Sequence, residues 1–364
     1  MKNRTISILL CFIFIISCFG CTTKKQADTS ETITVIDHLG NEIIIPKEIN
    51  KIAIGGIFPL PSVVAVFLNS AEKIVGIPEQ SMTAAANSLL GELYPEILNA
   101  DTSYINGSNL NIEALLELNP DVFLYNAADV QHGEICQKAG IPAIAVAVNK
   151  WEYDAIETLD NWMNLLTEIF PENSKNKQVE EYSKNTLLRI KEITKDIPES
   201  EKINLFFLFQ YTDTMIATSG NRFFGQWWAD SIDAYNVGET IDKDNSVTVN
   251  MEQIYSWNPE CILISNFTSA QPETLYNDTN WAEINAVKNK RVYKMPLGMY
   301  RSYTCGIDTP VTLLWIAKTV YPEYFTNINI IEETKKYYEE VFNVQLTDKQ
   351  AEKIFAPSSN ASAY

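Results

Sequence analysis

Histidine is almost missing from this chain of 364 residues. Only His38 and His132 occur, so no site of three imidazoles can be built from one copy. Positive charge is scarce as well: 28 Lys and Arg face 46 Asp and Glu, the net charge is −18, and the only arginines are Arg4, Arg189, Arg222, Arg291 and Arg301. Such a surface repels phosphates, which excludes a nucleic-acid partner. Of six cysteines, Cys11, Cys18 and Cys21 fall at the very start, leaving Cys136, Cys261 and Cys305 for the body, too few for a disulfide framework. The chain holds no G-x-S-x-G, HExxH, P-loop or strand-following G-x-G-x-x-G, so no enzyme is expected and no cofactor is implied. What is present is 46% hydrophobic and 11% aromatic residues, enough for packed cores and incompatible with a disordered scaffold. The length fits two domains.

The start of the chain sets the compartment. Lys2 and Arg4 precede an apolar run from Ile6 to Ile16, too short to span a bilayer and suited to the core of a secretory signal. Ile15-Ile16-Ser17-Cys18 matches a lipobox pattern; Cys21 follows the favoured Gly20 and lies nearer the polar stretch that begins at Thr22. Cys18 and Cys21 are both candidate acylation sites, and a plain cleaved signal with incidental cysteines is the simpler alternative. The expected organisation is a signal peptide (1–21), a tether (22–32), a first lobe (33–150), a helical connector (151–197) and a second lobe with terminal helices (198–364). The expected location is extracytoplasmic, with the chain lipid-anchored to a bacterial cell membrane.

Short β-branched runs alternate with amphipathic stretches on both sides of the connector. Lys51–Ile54, Lys73–Gly76, Val122–Tyr125 and Ala143–Val148 read as strands of the first half, and Ile203–Phe209, Met215–Ala217, Cys261–Ile264 and Arg291–Tyr293 as strands of the second. Alternation of this kind predicts α/β architecture with mostly parallel sheets. Between them Ile156, Leu159, Trp162, Met163, Leu166 and Ile169 recur at helical spacing, and a second helical stretch follows Pro171.

The halves echo each other. Asn111-Ile112-Glu113 through Asn119-Pro120-Asp121 leads into one buried strand, and Asn250-Met251-Glu252 through Asn258-Pro259-Glu260 leads into another. Glu113 and Glu252 each suit a helix dipole on ordinary grounds; their matching positions single them out as a pair.

Candidate ligand residues lie in loops that leave strands, where α/β sheets bind. They are Tyr300, Arg301 and Tyr303 in a Gly-flanked loop, Arg222 and Trp227 after the Met215 strand, and, more weakly, Tyr104, Asn106 and His132. Aromatic faces with an interleaved arginine suit a planar or chelated anion. Phe223, Phe224 and Trp227 equally fit the core face of a helix, Arg222 can pair locally, and His132 can be an ordinary structural histidine.

Taken in order, several segments resemble the class III substrate-binding lipoproteins of ABC importers, the group that handles ferric siderophores, haem and corrinoids. They are Ile33–Pro46, the two echoing segments, Trp281 with Ala286–Tyr293, and Leu314–Lys318 with Tyr321-Pro322-Glu323. The resemblance implies two Rossmann-like lobes with mostly parallel sheets, joined by a long rigid helix, with a ligand held between them by a monomer. It also implies partners: a permease dimer with its ATPase subunits, engaged through Glu113 and Glu252. The shortage of histidine departs from manganese and zinc binders of this build and favours a metal chelate over a bare ion, so no metal-ligand residues are assigned. Alternatives of other classes are a membrane-tethered sensor or surface binding module using the same cleft and, less well supported, a carboxylate-based hydrolase.

Overall fold

The computed structural model describes residues 31–173 and 175–363. The leader, residues 22–30 of the tether and both candidate acylation cysteines, Cys18 and Cys21, lie outside the described residues. Among those described, no helix is long and apolar enough to cross a membrane.

An antiparallel hairpin, Thr32–Ile36 with Glu42–Pro46, opens the fold. Its turn is closed by the Asp37 carboxylate, which accepts from the backbone N–H groups of Leu39 (2.9 Å) and Asn41 (2.8 Å). The first lobe is then a parallel sheet of four strands in the spatial order Ile74–Gly76, Ile52–Gly55, Val122–Asn126, Ala143–Val146. The second repeats it with Tyr235–Asn236, Asn204–Leu208, Cys261–Ile264 and Val292–Lys294, also all parallel. Both sheets therefore read second, first, third, fourth in chain order. Their central strands are buried except at Asn126 and Asn204, because helices cover both faces, which is why they are largely apolar runs without polar alternation.

The second lobe carries an addition: a three-stranded antiparallel sheet of Gln210–Thr212, Met215–Ser219 and Ser246–Val249. The sequence marks the Met215 strand but not its antiparallel setting.

The helical connector is two helices, Ala155–Ile169 and Asn176–Thr194, packed on each other, where the family resemblance implied one long helix. Pro171 separates them because it has no N–H to donate to the preceding turn. The Asp154 carboxylate caps the first, accepting from Ile156 and Glu157 N–H at 2.9 Å. Leu159, Trp162, Met163, Leu166 and Ile169 are buried, as their spacing predicts, and the helix Thr309–Val320 packs against both connector helices. One apolar core runs from the first lobe through these helices into the second. Burying each large aliphatic side chain there contributes roughly 1.5–3 kcal/mol, so the lobes share a stiff brace.

Candidate functional site

The two echoing segments fold alike. Asn111 caps the helix Ile112–Leu118, its side chain accepting from Ala114 N–H, and Asn250 caps Met251–Trp257, accepting from Gln253 N–H. Asn119 and Asn258 end these helices in the left-handed region (φ 48° and 42°), and the prolines that follow prevent any continuation. The acid after each proline then ties down the first strand of its own lobe. Asp121 accepts from Asn50 and Lys51 N–H (2.7 and 2.9 Å), and Glu260 accepts from Asn204 N–H (3.0 Å). On these equivalent helices Glu113 and Glu252 are both exposed in the first turn, and neither enters an ion pair among the described residues.

The carboxyl ends of both sheets face the seam between the lobes. On the second-lobe side the seam is aromatic: Phe209 contacts Phe223, Phe267 and Tyr303 at centroid distances of 5.8, 5.0 and 5.0 Å. Tyr153, from the start of the connector, reaches across to Phe223 (5.2 Å) and Phe224 (5.0 Å). Beside this contact lies a groove of about 710 Å³ with Trp151, Tyr153, Phe223 and Trp227 among its walls. Its charged lining is Lys150 and Arg222 against Glu152, Asp154, Glu157, Asp230 and Asp244. Acids outnumber bases, and the exposed Arg222 already pairs with Asp242 at 2.7 Å, so an anion gains little there.

Arg301 is in a different setting. It is 1% exposed, and its guanidinium lies 5.3 Å from the Phe267 ring centroid and 5.2 Å from that of Tyr300. Nε donates to Ala361 O (2.8 Å), Nη1 donates to Tyr300 Oη (2.8 Å), and Nη2 has no hydrogen-bond partner. No carboxylate pairs with it among the described residues. A buried cation without a counter-charge is costly.

Three devices fix the loop that carries it. The enclosed Asp308 carboxylate accepts from Met299 N–H (2.7 Å) and from Tyr338 Oη; burial raises its pKa, opposed by those hydrogen bonds. Residue 298 must be glycine, because a Cβ there would lie 2.3 Å from Asp308 Oδ1. Ser88 Oγ and Leu89 N–H of the first lobe donate to Met299 O (3.4 Å) and Gly298 O (3.0 Å), joining the lobes at this point. The neighbouring loop is organised by buried Lys294, whose ammonium donates to the carbonyls of Ser265, Thr268 and Ala270 at 2.7–2.9 Å. Burial pulls that ammonium down to about 7, although three carbonyl acceptors favour its charged form.

The sequence candidates thus divide. Tyr300 and Arg301 lie together at the seam, Tyr303 packs behind Phe209 and Phe223, and Arg222 and Trp227 line the outer groove. Tyr104 is placed elsewhere: it is fully buried within the first lobe and donates to Ile54 O. Asn106 belongs to a small hairpin, Ile105–Asn106 with Asn109–Leu110. His132 lies in a helix, Val130–Ala139, not in a loop, because Asn126 Oδ1 accepts from Ala128 N–H and closes the turn early; its Nε2 lies 3.0 Å from Ser108 O. His38 has more to do than close a hairpin. Its Nδ1 accepts from Ala147 N–H (3.0 Å) and its ring meets Trp151 edge-on, so it braces the first-lobe loop beside the groove. Trp151, Tyr153, Phe209 and Phe267 were missed, although Trp151 and Phe267 follow strands and the loop rule reaches them.

Two sister lobes, parallel sheets facing one seam and a helical brace describe a binding scaffold, and the sequence profile of the periplasmic binding protein family matches residues 63–297. The chain belongs to that family. The molybdate-binding protein MolA of Haemophilus influenzae is 25% identical over 353 residues, covering 90% of this chain and 95% of that protein. The uncharacterised ABC transporter substrate-binding lipoprotein YvrC of Bacillus subtilis is 23% identical, covering 89% of this chain and 99% of its own length. A solved periplasmic solute binding protein from Veillonella parvula superposes with a TM-score of 0.79 at 28% identity, covering 90% of this chain and 98% of that one. The fold is that of class III members of the family, and these relatives are binding proteins, not enzymes.

Proposed function

We propose that this periplasmic binding protein captures a metal complex, a ferric siderophore, haem or a corrinoid, outside the cytoplasm and delivers it to the permease of an ABC importer. The lipid anchor on Cys18 or Cys21 keeps it at the membrane, and Glu113 and Glu252 dock on basic residues of the permease dimer, whose ATPase subunits drive release. The observation that carries the ligand class is Arg301: a buried guanidinium beside two aromatic rings, with one donor unpartnered and no carboxylate pairing with it among the described residues. Stacking on Phe267 and Tyr300 and charge-assisted bonds to the guanidinium match a chelate with an anionic rim.

A bare oxyanion is the second reading, favoured by the likeness to the molybdate-binding MolA along nearly the whole chain. Titration of purified protein with haemin, ferric siderophores, cobinamide and molybdate, followed by absorbance and calorimetry, separates the two. The expected result is saturable binding of one chelate that Arg301→Gln weakens by about 30-fold or more, the effect of removing one partner of a buried charge pair. Binding of molybdate alone selects the second reading, and a chelate that binds equally to Arg301→Gln removes Arg301 from the site.

A further inference from the structure

The chain beyond the helix Asp348–Ile354 lies on the seam. That helix is fastened to both lobes: Gln350 Nε2 and Lys353 Nζ donate to the Glu92 carboxylate of the first lobe (2.9 and 3.2 Å), while Ile354 O accepts from Leu297 N–H of the second (2.8 Å). The segment after it turns through Ser359–Ala361 against the first-lobe helix Glu79–Ala86, and Ala363 N–H donates to Phe267 O (3.2 Å). Between these contacts Ala361 O accepts from Arg301 Nε, and Ala361 itself is fully buried. The segment therefore covers Arg301, which no carboxylate pairs with among the described residues.

We propose that residues 356–363 are a displaceable occupant of the anion seat. The Ala361 carbonyl holds the place of a ligand oxygen on Arg301, and an anionic ligand enters by lifting this segment away. The exchange is favourable at the guanidinium. A neutral carbonyl satisfies one donor and leaves Nη2 bare, whereas a carboxylate or oxyanion supplies two oxygens and the missing charge. Its polar hold on the seam is light: Arg301 and Phe267 are reached by two main-chain hydrogen bonds, and residues 358–360 are exposed. Because the occupant is tethered, apparent affinity is reduced by the fraction of time the seat is open.

This inference rests on Arg301 being the anion seat, and the experiment separates the two claims. A chain ended after Phe355 keeps the Leu297–Ile354 contact and is compared with the full chain in titrations with haemin, ferric citrate and molybdate. A seat covered about nine-tenths of the time predicts about tenfold tighter binding of the responsive probe once the segment is gone. A synthetic peptide of residues 355–364 added back competes with that probe. Arg301→Gln in the shortened chain abolishes the gain. Binding that weakens or stays unchanged on shortening, with Arg301→Gln still harmful, overturns the occupant and spares the seat. Tight binding indifferent to Arg301→Gln overturns the seat, and no binding by any probe to the shortened chain overturns both. Circular dichroism and the unfolding midpoint of the shortened chain show that it is folded.

Discussion

In the first lobe the chain leaves its leading strand, Ile52–Gly55, through Gly56 and passes directly into the helix Leu60–Leu68. Gly56 has φ +74°, and a Cβ there would lie 3.0 Å from the Asp129 carboxylate, so the turn needs glycine. In the second lobe the equivalent strand, Asn204–Leu208, leaves through Phe209 into an antiparallel hairpin before its helix, Phe224–Ser231. Behind the seam the lobes share strand order, Asn-capped helix, Asn-Pro stop and acidic clamp. The seam itself is not shared: the second lobe alone brings Phe209, Phe223, Phe267 and Tyr303 together beside Arg301. The scaffold is duplicated, and the aromatic cluster with Arg301 is found in one copy.

The shared features define what a symmetric pair must do when broken. The largest expected effect is at docking. Replacing both Glu113 and Glu252 by Ala abolishes uptake of radiolabelled solute in whole cells and leaves ligand affinity unchanged. Each single change lowers uptake by about 30-fold or more, as for truncating one partner of an interfacial charge pair. Unequal single effects would show that the permease reads one lobe alone.

Next in size are the buried bases that hold the seam loops, one in each lobe. Lys294→Met strands three buried carbonyls and costs about 3 kcal/mol in urea unfolding. His38→Gln keeps an acceptor for Ala147 N–H and costs less. Both bases also leave a mark on stability against pH. His38 is held at about 4, chiefly by burial and then by the Lys150 ammonium, against an ordinary 6.5. Between those values only the unfolded chain takes the proton, so stability falls by about 2 kcal/mol as pH drops from 6.5 to 4. Lys294, lowered from 10.5 to about 7, makes stability fall as pH drops through that higher window. His38→Gln flattens the acid window alone, and Lys294→Met the alkaline one alone.

The acidic clamps come third. Asp121 holds two N–H groups and Glu260 one, so Asp121→Ala costs about 2 kcal/mol and Glu260→Ala about 1 kcal/mol, read from denaturant midpoints.

How much of this was readable from the chain follows from the range of each interaction. The echo was legible because a cap, a stop and a strand are set within about ten residues, by Asn111, Asn119-Pro120 and their counterparts. The connector was legible from the spacing of Leu159, Trp162 and Leu166, and Pro171 marked its break. Tyr104 and His132 were misplaced because the fate of an isolated polar aromatic depends on what packs over it, here Ile54 O and Ser108 O from distant segments. Trp227 and Arg222 lie beside the seam but outside its charged centre. That centre joins Phe267, Tyr300, Arg301 and Ala361, contributed by three stretches of sequence that no local pattern links.

The smallest effect tests the echo at its most exact point. Asn119 and Asn258 occupy the same left-handed position, where glycine avoids the strain an L side chain incurs. On backbone grounds both Asn→Gly changes should stabilise by about 0.5 kcal/mol. The side chains differ, however. Asn258 Oδ1 accepts from Asn285 N–H at 2.9 Å, whereas no hydrogen bond from the Asn119 side chain occurs among the described residues. Losing the Asn258 bond costs about 1 kcal/mol. Asn119→Gly therefore raises the melting temperature slightly and Asn258→Gly lowers it. Shifts of the same sign would mean that backbone strain alone governs this position, and that the second lobe's extra bond contributes nothing to holding the segment Asn285–Lys288 against its capped helix.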